Sequence, residues 1–144
     1  MLLGRFEHTI DERGRLSLPS KYCSRLAAGV AVARGFDGCL CIYPVREWEQ
    51  LMERVQQLPL VQEKVRDFVR FFFHEASETV PDKEGRVLVP AYLREYANLE
   101  TDVAITGSRD HLKVWNPEAL EKRNVILQED TVGVAEKLSE LGVL

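Results

Sequence analysis

The chain has 144 residues, of which 45% are hydrophobic and 29% charged, a composition typical of folded globular proteins rather than disordered ones. The formal net charge of −4 argues against non-specific polyanion binding by the whole surface, but it leaves room for a local basic patch. No apolar run approaches the ~18 residues of a membrane-spanning helix, and three cysteines without a signal sequence favour a reducing, cytoplasmic location.

The first part of the sequence predicts short strands separated by turns, together with two helices. Alternation over Arg15 to Leu18 places Leu16 and Leu18 in the core and turns Arg15 outward. Asp11 and Gly14 are typical of the ends of a turn, because Asp binds nearby amides and Gly adopts positive φ. The predicted strands are 7–10, 15–18, 30–33 and 39–43, the turns are 11–14 and 35–38, and the helices are 20–27 and 44–57.

A second amphipathic helix follows the Leu58-Pro59 break and is predicted over Leu60 to Phe73. One stripe is apolar and includes Phe68 and Phe72. Phe71 and Phe73 widen the apolar arc beyond one buried face, which predicts a second packing partner, such as another subunit.

The second part of the chain repeats the order of the first. The predicted strands are 78–80, 86–89, 103–106 and 111–115, the turn is 82–85, and the helices are 91–97 and 117–125. We expect a first module at 1–59, a connecting helix at 60–76, a second module at 77–125 and an acidic, helical tail at 126–144. Trp48 and Trp115 lie among apolar neighbours and are predicted to be packing residues.

A nine-residue phrase carries the repeat. Its copies read D-E-R-G-R-L-S-L-P from Asp11 and D-K-E-G-R-V-L-V-P from Asp82, so both fit D-x-x-G-R-φ-x-φ-P, where φ is apolar. Halves of about 70 residues bury too little apolar surface to be very stable alone. We therefore expect an α+β fold in which the two halves share one core about a pseudo-two-fold axis.

The repeated arginines, Arg15 and Arg86, are the candidate binding residues. Each directly follows a turn glycine on the outward face of a strand. A guanidinium group can bind guanine bidentately or clamp a phosphate. Arg13 and Lys83 lie on the turns and add charge beside them. Alternatively, Arg15 and Arg86 pair with the aspartates of their own phrases to lock the turns, and the two roles are compatible.

Other chemistry has weaker support. Asp11 and Asp82 could form a symmetric dyad of the aspartic-protease kind, but an aspartate that caps a charged turn is the simpler interpretation. Cys39-x-Cys41 lacks redox or zinc spacing and is predicted to supply small core residues. The histidines are scattered, and no nucleotide-binding or serine-hydrolase motif occurs. The sequence therefore predicts no enzyme, metal, cofactor or small-molecule substrate.

With these residues, the chain resembles the MraZ family, which is built from two tandem AbrB-like (SpoVT-AbrB) modules. The resemblance covers residues 1–125 and rests on both phrases, on H-T-I-D at 8–11, on D-G-C-L at 37–40 with Y-P at 43–44, and on F-V-R-F-F at 68–72. It implies a pseudo-two-fold swapped-hairpin β-barrel with flanking helices. It also implies a cytoplasmic, nucleoid-associated transcriptional regulator that forms a homo-oligomeric ring. Such a ring binds double-stranded DNA at repeated G-rich sites upstream of the division and cell-wall operon.

In this resemblance Arg15 and Arg86 are the arginines that face DNA, with Arg13 and Lys83 as weaker candidates. Glu84 in the second copy stands where the first has Arg13, so the two hairpin tips could contribute unequally. A second hypothesis is an antitoxin-like or other protein-interaction module that uses the same fold and the Phe-rich helix.

Overall fold

The computed structural model describes residues 1–144 and shows an α+β protein of eight strands and several helices. The strands are β1 (Arg5–Thr9), β2 (Arg15–Ser17), β3 (Val30–Arg34), β4 (Leu40–Pro44), β5 (Ser77–Thr79), β6 (Arg86–Leu88), β7 (Asp102–Gly107) and β8 (Leu112–Trp115). The helices are a 3₁₀ turn (Ser20–Tyr22), α1 (Cys23–Leu26), α2 (Val45–Gln56), α3 (Glu63–Phe72), α4 (Ala91–Tyr96), α5 (Pro117–Glu129) and α6 (Thr131–Glu140).

The sequence predicted every strand and its position within a few residues, but three helices differ from their predictions. The first is half 3₁₀ and half α-helical. The connecting helix α3 begins at Glu63 and not at Leu60, because a turn closed by the Gln62 N–H to the Pro59 carbonyl precedes it. The helix after Pro117 continues past residue 125 to Glu129, and the tail folds as α6.

All strand pairs are antiparallel, and they connect the two halves of the chain. The six-stranded sheet has the order β1-β7-β8-β4-β3-β5, and β2 and β6 form a separate two-stranded sheet. The outer strand β1 of the first half thus pairs with β7 of the second, and β5 of the second pairs with β3 of the first. The pairings do not join β1 to β5, so they do not close the larger sheet into a barrel.

The strand registers define the expected pseudo-two-fold axis. In the small sheet Leu16 lies opposite Val87, and these are equivalent positions of the two phrases. In the large sheet Cys41 lies opposite Lys113, again equivalent positions in the aligned hairpins. The axis therefore passes through both pairs, and the repeat seen in the sequence is a repeat in space.

One core fills the space between the two sheets. It comprises nineteen buried residues from both halves, with Leu16 and Val87 from the small sheet and Ile42 and Ile105 from the large one. Leu16 and Val89 are completely buried, which confirms that the apolar positions of the phrase face inward. Since the core crosses the axis, neither half can bury its apolar face alone.

A second, aromatic cluster lies on the other side of β3. Trp48 of α2 and Phe72 of α3 are its buried aromatic residues, and their ring centroids lie 5.6 Å apart. Phe71 and Phe73 are half-buried and pack within the chain, with Phe71 edge-on to Tyr96. The extra width of this apolar arc therefore has partners inside the chain, and the oligomer inferred from it stays a prediction.

The last two helices lie outside this core. Asn116 caps α5 by accepting hydrogen bonds from two N–H groups of its first turn, and Asp130 caps α6 in the same way from Gly133. The helix α6 has no buried residue. None of the helices combines the length and the apolar character that crossing a membrane would require.

Candidate nucleic-acid interface

Each phrase folds as a turn that its aspartate holds together. The Oδ1 atom of Asp11 accepts hydrogen bonds from the backbone N–H groups of Arg13 and Arg15, both at 2.9 Å. Its Oδ2 atom accepts one from Nε of Arg15 at 2.7 Å. The glycine that follows, Gly14, has a φ of 81°, which L side chains rarely adopt. The turn-locking alternative is thus part of the structure.

The second turn reproduces this geometry. Asp82 accepts from the backbone N–H groups of Glu84 and Arg86 at 2.9 and 3.0 Å, and from Nε of Arg86 at 3.0 Å. Gly85 has a φ of 76°. The two turns differ only in the residues between aspartate and glycine.

The hydrogen bonds keep both aspartates ionised. The backbone N–H of Arg15 holds the pKa of Asp11 below its usual range, and the backbone N–H of Arg86 does the same to the pKa of Asp82. A dyad that shares one proton needs one carboxyl with a raised pKa. Here Arg86 contacts both carboxylates, so the geometry fits turn locking and does not fit a protease-like dyad.

Pairing of β2 with β6 brings the two arginines together. Arg86 lies opposite Ser17, two residues from Arg15, so both guanidinium groups share the face opposite the core. The Oδ2 atom of Asp11 lies 2.7 Å from Nε of Arg15 and 3.8 Å from Nη1 of Arg86. The two arginines therefore lie side by side over one carboxylate.

The two guanidinium groups are not equally free. Arg15 has one carboxylate partner, Asp11, which takes its Nε. Arg86 has three, since Nη2 also lies 3.4 Å from Glu84 in addition to its contacts with both aspartates. Consequently Arg15 keeps the forked edge of its guanidinium group open, and that of Arg86 is partly neutralised.

The weaker candidates occupy the tips of the turns. Arg13 and Lys83 are exposed, and neither takes part in an ion pair. They lie at neighbouring and not at equivalent positions of the two turns. The order of charges between aspartate and glycine is Glu-Arg in the first turn and Lys-Glu in the second.

Sequence reasoning missed two residues that contact the turns. Arg94 of α4 lies against Gly14, and Cys23 of α1 lies against Gly85. Each is contributed by the opposite half of the chain, and the two are equivalent positions of the repeat. The backbone shows the same exchange, since Gly14 accepts from the Val89 N–H and Gly85 from the Leu18 N–H. Only a spatial alignment of the halves could have revealed these contacts.

The other two cysteines fill the core, as predicted. Cys39 and Cys41 are buried, and the hydrogen bond that the Cys41 thiol donates to Cys39, together with burial, raises the pKa of Cys41. The tryptophans are also buried, as predicted, with Trp115 donating from Nε1 to Thr106 Oγ1 at 3.0 Å. These residues stabilise the fold and do not reach the arginine face.

Comparison with known proteins agrees with the repeat and with the resemblance. A family model described as "MraZ protein, putative antitoxin-like" matches residues 1–71 and again residues 72–131. The protein called transcriptional regulator MraZ in Heliobacterium modesticaldum is 42% identical over 138 residues, which are 96% of each chain. Those of Caldicellulosiruptor saccharolyticus and Clostridium tetani are 38% and 39% identical over 143 residues, 99% of this chain and 100% of theirs. The chain belongs to the MraZ family.

Proposed function

We propose that this member of the MraZ family is a sequence-specific transcriptional regulator that binds double-stranded DNA through the face carrying Arg15 and Arg86. The observation that carries the proposal is the pairing of β2 with β6, which places both arginines on one surface. The relatives' name, transcriptional regulator, supports the same role.

The hydrogen bonds within the turns prepare the arginines for this role. Because Asp11 takes Nε of Arg15, the guanidinium group is held in one orientation with its two Nη atoms available. Those atoms match the spacing of guanine O6 and N7, or of two phosphate oxygens. Turn locking and DNA binding are therefore two functions of one side chain. Arg13 and Lys83 contribute positive charge at the tips, where they would contact the phosphate backbone.

The finer features of the family belong to the same proposal. The two sheets would enclose the shared core as a swapped-hairpin β-barrel, which the exchange of β1 and β5 between the halves supports. The targets would be repeated G-rich sites upstream of the division and cell-wall operon, in the cytoplasm and at the nucleoid. We assign no catalytic residue, metal or cofactor.

A homo-oligomeric ring would let several weak sites act together on repeated DNA. Phe36 supports a surface for self-association, since 72% of it is exposed although its ring stacks on Phe68 and Phe71. Light scattering of the wild type and of Phe36→Ser tests this. A monomeric wild type at micromolar concentration would contradict the ring.

The decisive experiment is a gel shift with DNA from the region upstream of the chain's own gene. Arg15→Ala should abolish or strongly reduce specific binding, with loss of base discrimination of roughly 1–3 kcal/mol per guanine contact. Arg86→Ala should have a smaller effect, because Glu84 and both aspartates already neutralise Arg86. Arg66→Ala is the matched control, since Arg66 lies on α3 and bonds only to backbone carbonyls.

Circular dichroism must show that all variants fold. A folded Arg15→Ala, Arg86→Ala double variant that still shifts the DNA normally refutes the proposal. A wild type that shifts no DNA at low salt but forms a stable complex with another protein favours the alternative, an antitoxin-like or other protein-interaction module. Phe36, whose side chain is exposed, would be the first residue to substitute in a test of that alternative.

A further inference from the structure

A groove runs beside the first hairpin turn and combines residues from both halves of the chain. It has a volume of about 720 Å³, and three arginines line it: Arg13, Arg15 and Arg94. Three acids line it as well. Asp11 is paired with Arg15, whereas Glu12 and Glu100 make no ion pair with any of the arginines.

Arg94 is held in this groove by two contacts. Its Nε donates to the Val89 carbonyl at 3.0 Å. Its guanidinium group lies against Gly14, where Nη2 and Cζ are 3.0 and 3.2 Å from the point at which a Cβ would stand. No carboxylate neutralises it within ion-pairing distance. The half-buried Arg94 is thus a positioned cation beside Arg15.

The second turn shows that the fold itself does not need a cation at this place. The equivalent position is Cys23, whose Sγ lies 2.9 Å from the point at which a Cβ on Gly85 would stand. Gly85 nevertheless adopts the same conformation as Gly14, and Asp82 locks the turn with the same hydrogen bonds. A neutral side chain therefore suffices for the turn, and the charge of Arg94 needs a different explanation.

We infer that Arg94 is a further DNA-binding residue, which the second half of the chain supplies to the first hairpin to bind a backbone phosphate beside Arg15. The inference rests on the proposed function. Each hairpin turn, counted with its arginine, carries two acidic and two basic residues. These are Asp11, Glu12, Arg13 and Arg15 in the first, and Asp82, Lys83, Glu84 and Arg86 in the second. Arg94 adds a cation to the first hairpin only, so the two hairpins bind DNA unequally, and the first dominates.

The test measures how the affinity for DNA depends on salt, because each phosphate contact releases counterions. For duplex DNA, log Kobs falls with log salt with a slope of about −0.9 for each phosphate contact. Arg94→Gln, which removes the charge and keeps an N–H donor for Val89, should make the slope less steep by about 0.9 for each copy that contacts DNA. Arg94→Lys keeps the charge and should keep the slope. Both are measured on the upstream duplex and on a random-sequence duplex of equal length.

Three controls separate the outcomes. Arg66→Gln removes an arginine that also bonds to backbone carbonyls, outside the groove, and should leave the slope unchanged. If Arg94→Gln lowers the thermal midpoint, Arg94→Met is measured as a second neutral variant. Arg15→Ala reports on the proposed function itself.

An unchanged slope in the folded neutral variants overturns the inference. So does an equal loss in Arg94→Lys and Arg94→Gln, since the shape of the guanidinium group against Gly14, and not the charge, would then be responsible. If Arg15→Ala weakens DNA binding and Arg94→Gln does not, the inference about Arg94 is wrong and the proposed function stands. If both variants bind DNA as the wild type does, the inference and the proposed function are both wrong.

Discussion

Replacing Leu16 by alanine should destabilise the whole chain, because this side chain lies where the two halves meet. Leu16 is completely buried and faces Val87 across the pseudo-two-fold axis. A Leu→Ala change in a core costs roughly 2–5 kcal/mol, and a fully enclosed site such as this one should lose about 3 kcal/mol. That is a large share of the roughly 5–15 kcal/mol that stabilises a typical domain.

Urea unfolding measures the loss, and the two tryptophans report on different parts of the molecule. With a slope of about 2 kcal/mol per M urea, the midpoint should fall by about 1.5 M. Trp48 lies in the aromatic cluster beside β3, and Trp115 lies beside α5. In Trp48→Phe and Trp115→Phe backgrounds the remaining tryptophan gives one signal each. Both midpoints should fall by the same amount, since the halves share one core.

Leu88→Ala is the matched control, because Leu88 lies on the same small sheet but 53% of it is exposed. Its effect should stay within about 0.5 kcal/mol. If Leu16→Ala moved the Trp48 transition and left the Trp115 transition in place, the halves would be separate folding units. The two halves would then not depend on one shared core.

Acid should weaken the turns, because the backbone N–H groups that lower the pKa values of Asp11 and Asp82 stabilise the ionised carboxylates. This stability is fully present above the ordinary carboxyl pKa of about 3.9 and is lost as the pH falls through the lower pKa values of the folded state. Thermal midpoints between pH 5 and pH 2.5 should show the loss in the wild type and less of it in the double Asp→Asn variant. Gly85→Ala should destabilise the protein more than Gly38→Ala. Both glycines have φ near +80°, so either alanine adds a strain of about 1–2 kcal/mol, but only the Cβ at position 85 meets Cys23 Sγ. Equal unfolding midpoints in urea would contradict this. The Cys23 thiol should react with a thiol reagent in the native protein, whereas the two buried cysteines should react only on unfolding.

Much of the fold follows from the sequence because the repeated phrase constrains each level of structure. The spacing from Asp11 to Gly14 specifies the turn, and the alternation that follows specifies which strand face is buried. Two copies of such a half-buried unit need a common core, and that requirement predicts the axis. The registers of β2 with β6 and of β4 with β8 confirm it.

What the sequence could not supply is contact between the halves. Arg94 lies outside both phrases, and its role depends on the exchange that brings α4 over Gly14. Similarly, the width of the apolar face of α3 suggested an external partner. Within the chain Phe71 meets Tyr96 and the guanidinium group of Arg34, two contacts that the periodicity of α3 did not predict. The periodicity of apolar residues shows which face of one helix or strand is buried, but it does not show which distant residues pack against that face.

The charge of the molecule fits DNA binding once the position of each charge is considered. The acidic excess near the C-terminus lies on α5 and α6, and α6 contributes no buried residue to the fold. The arginines lie on the small sheet, where the aspartates fix them through Nε. In Arg15 this leaves both Nη atoms without a carboxylate partner. An arginine fixed before binding loses less conformational entropy when it meets a base or a phosphate. A carboxylate beside each arginine is therefore no obstacle to DNA, provided that it takes Nε.

By the same reasoning Glu84, which approaches Nη2 of Arg86, competes directly with DNA. Glu84→Gln should strengthen binding, and no gain in the gel shift would show that the difference between the two hairpins lies elsewhere.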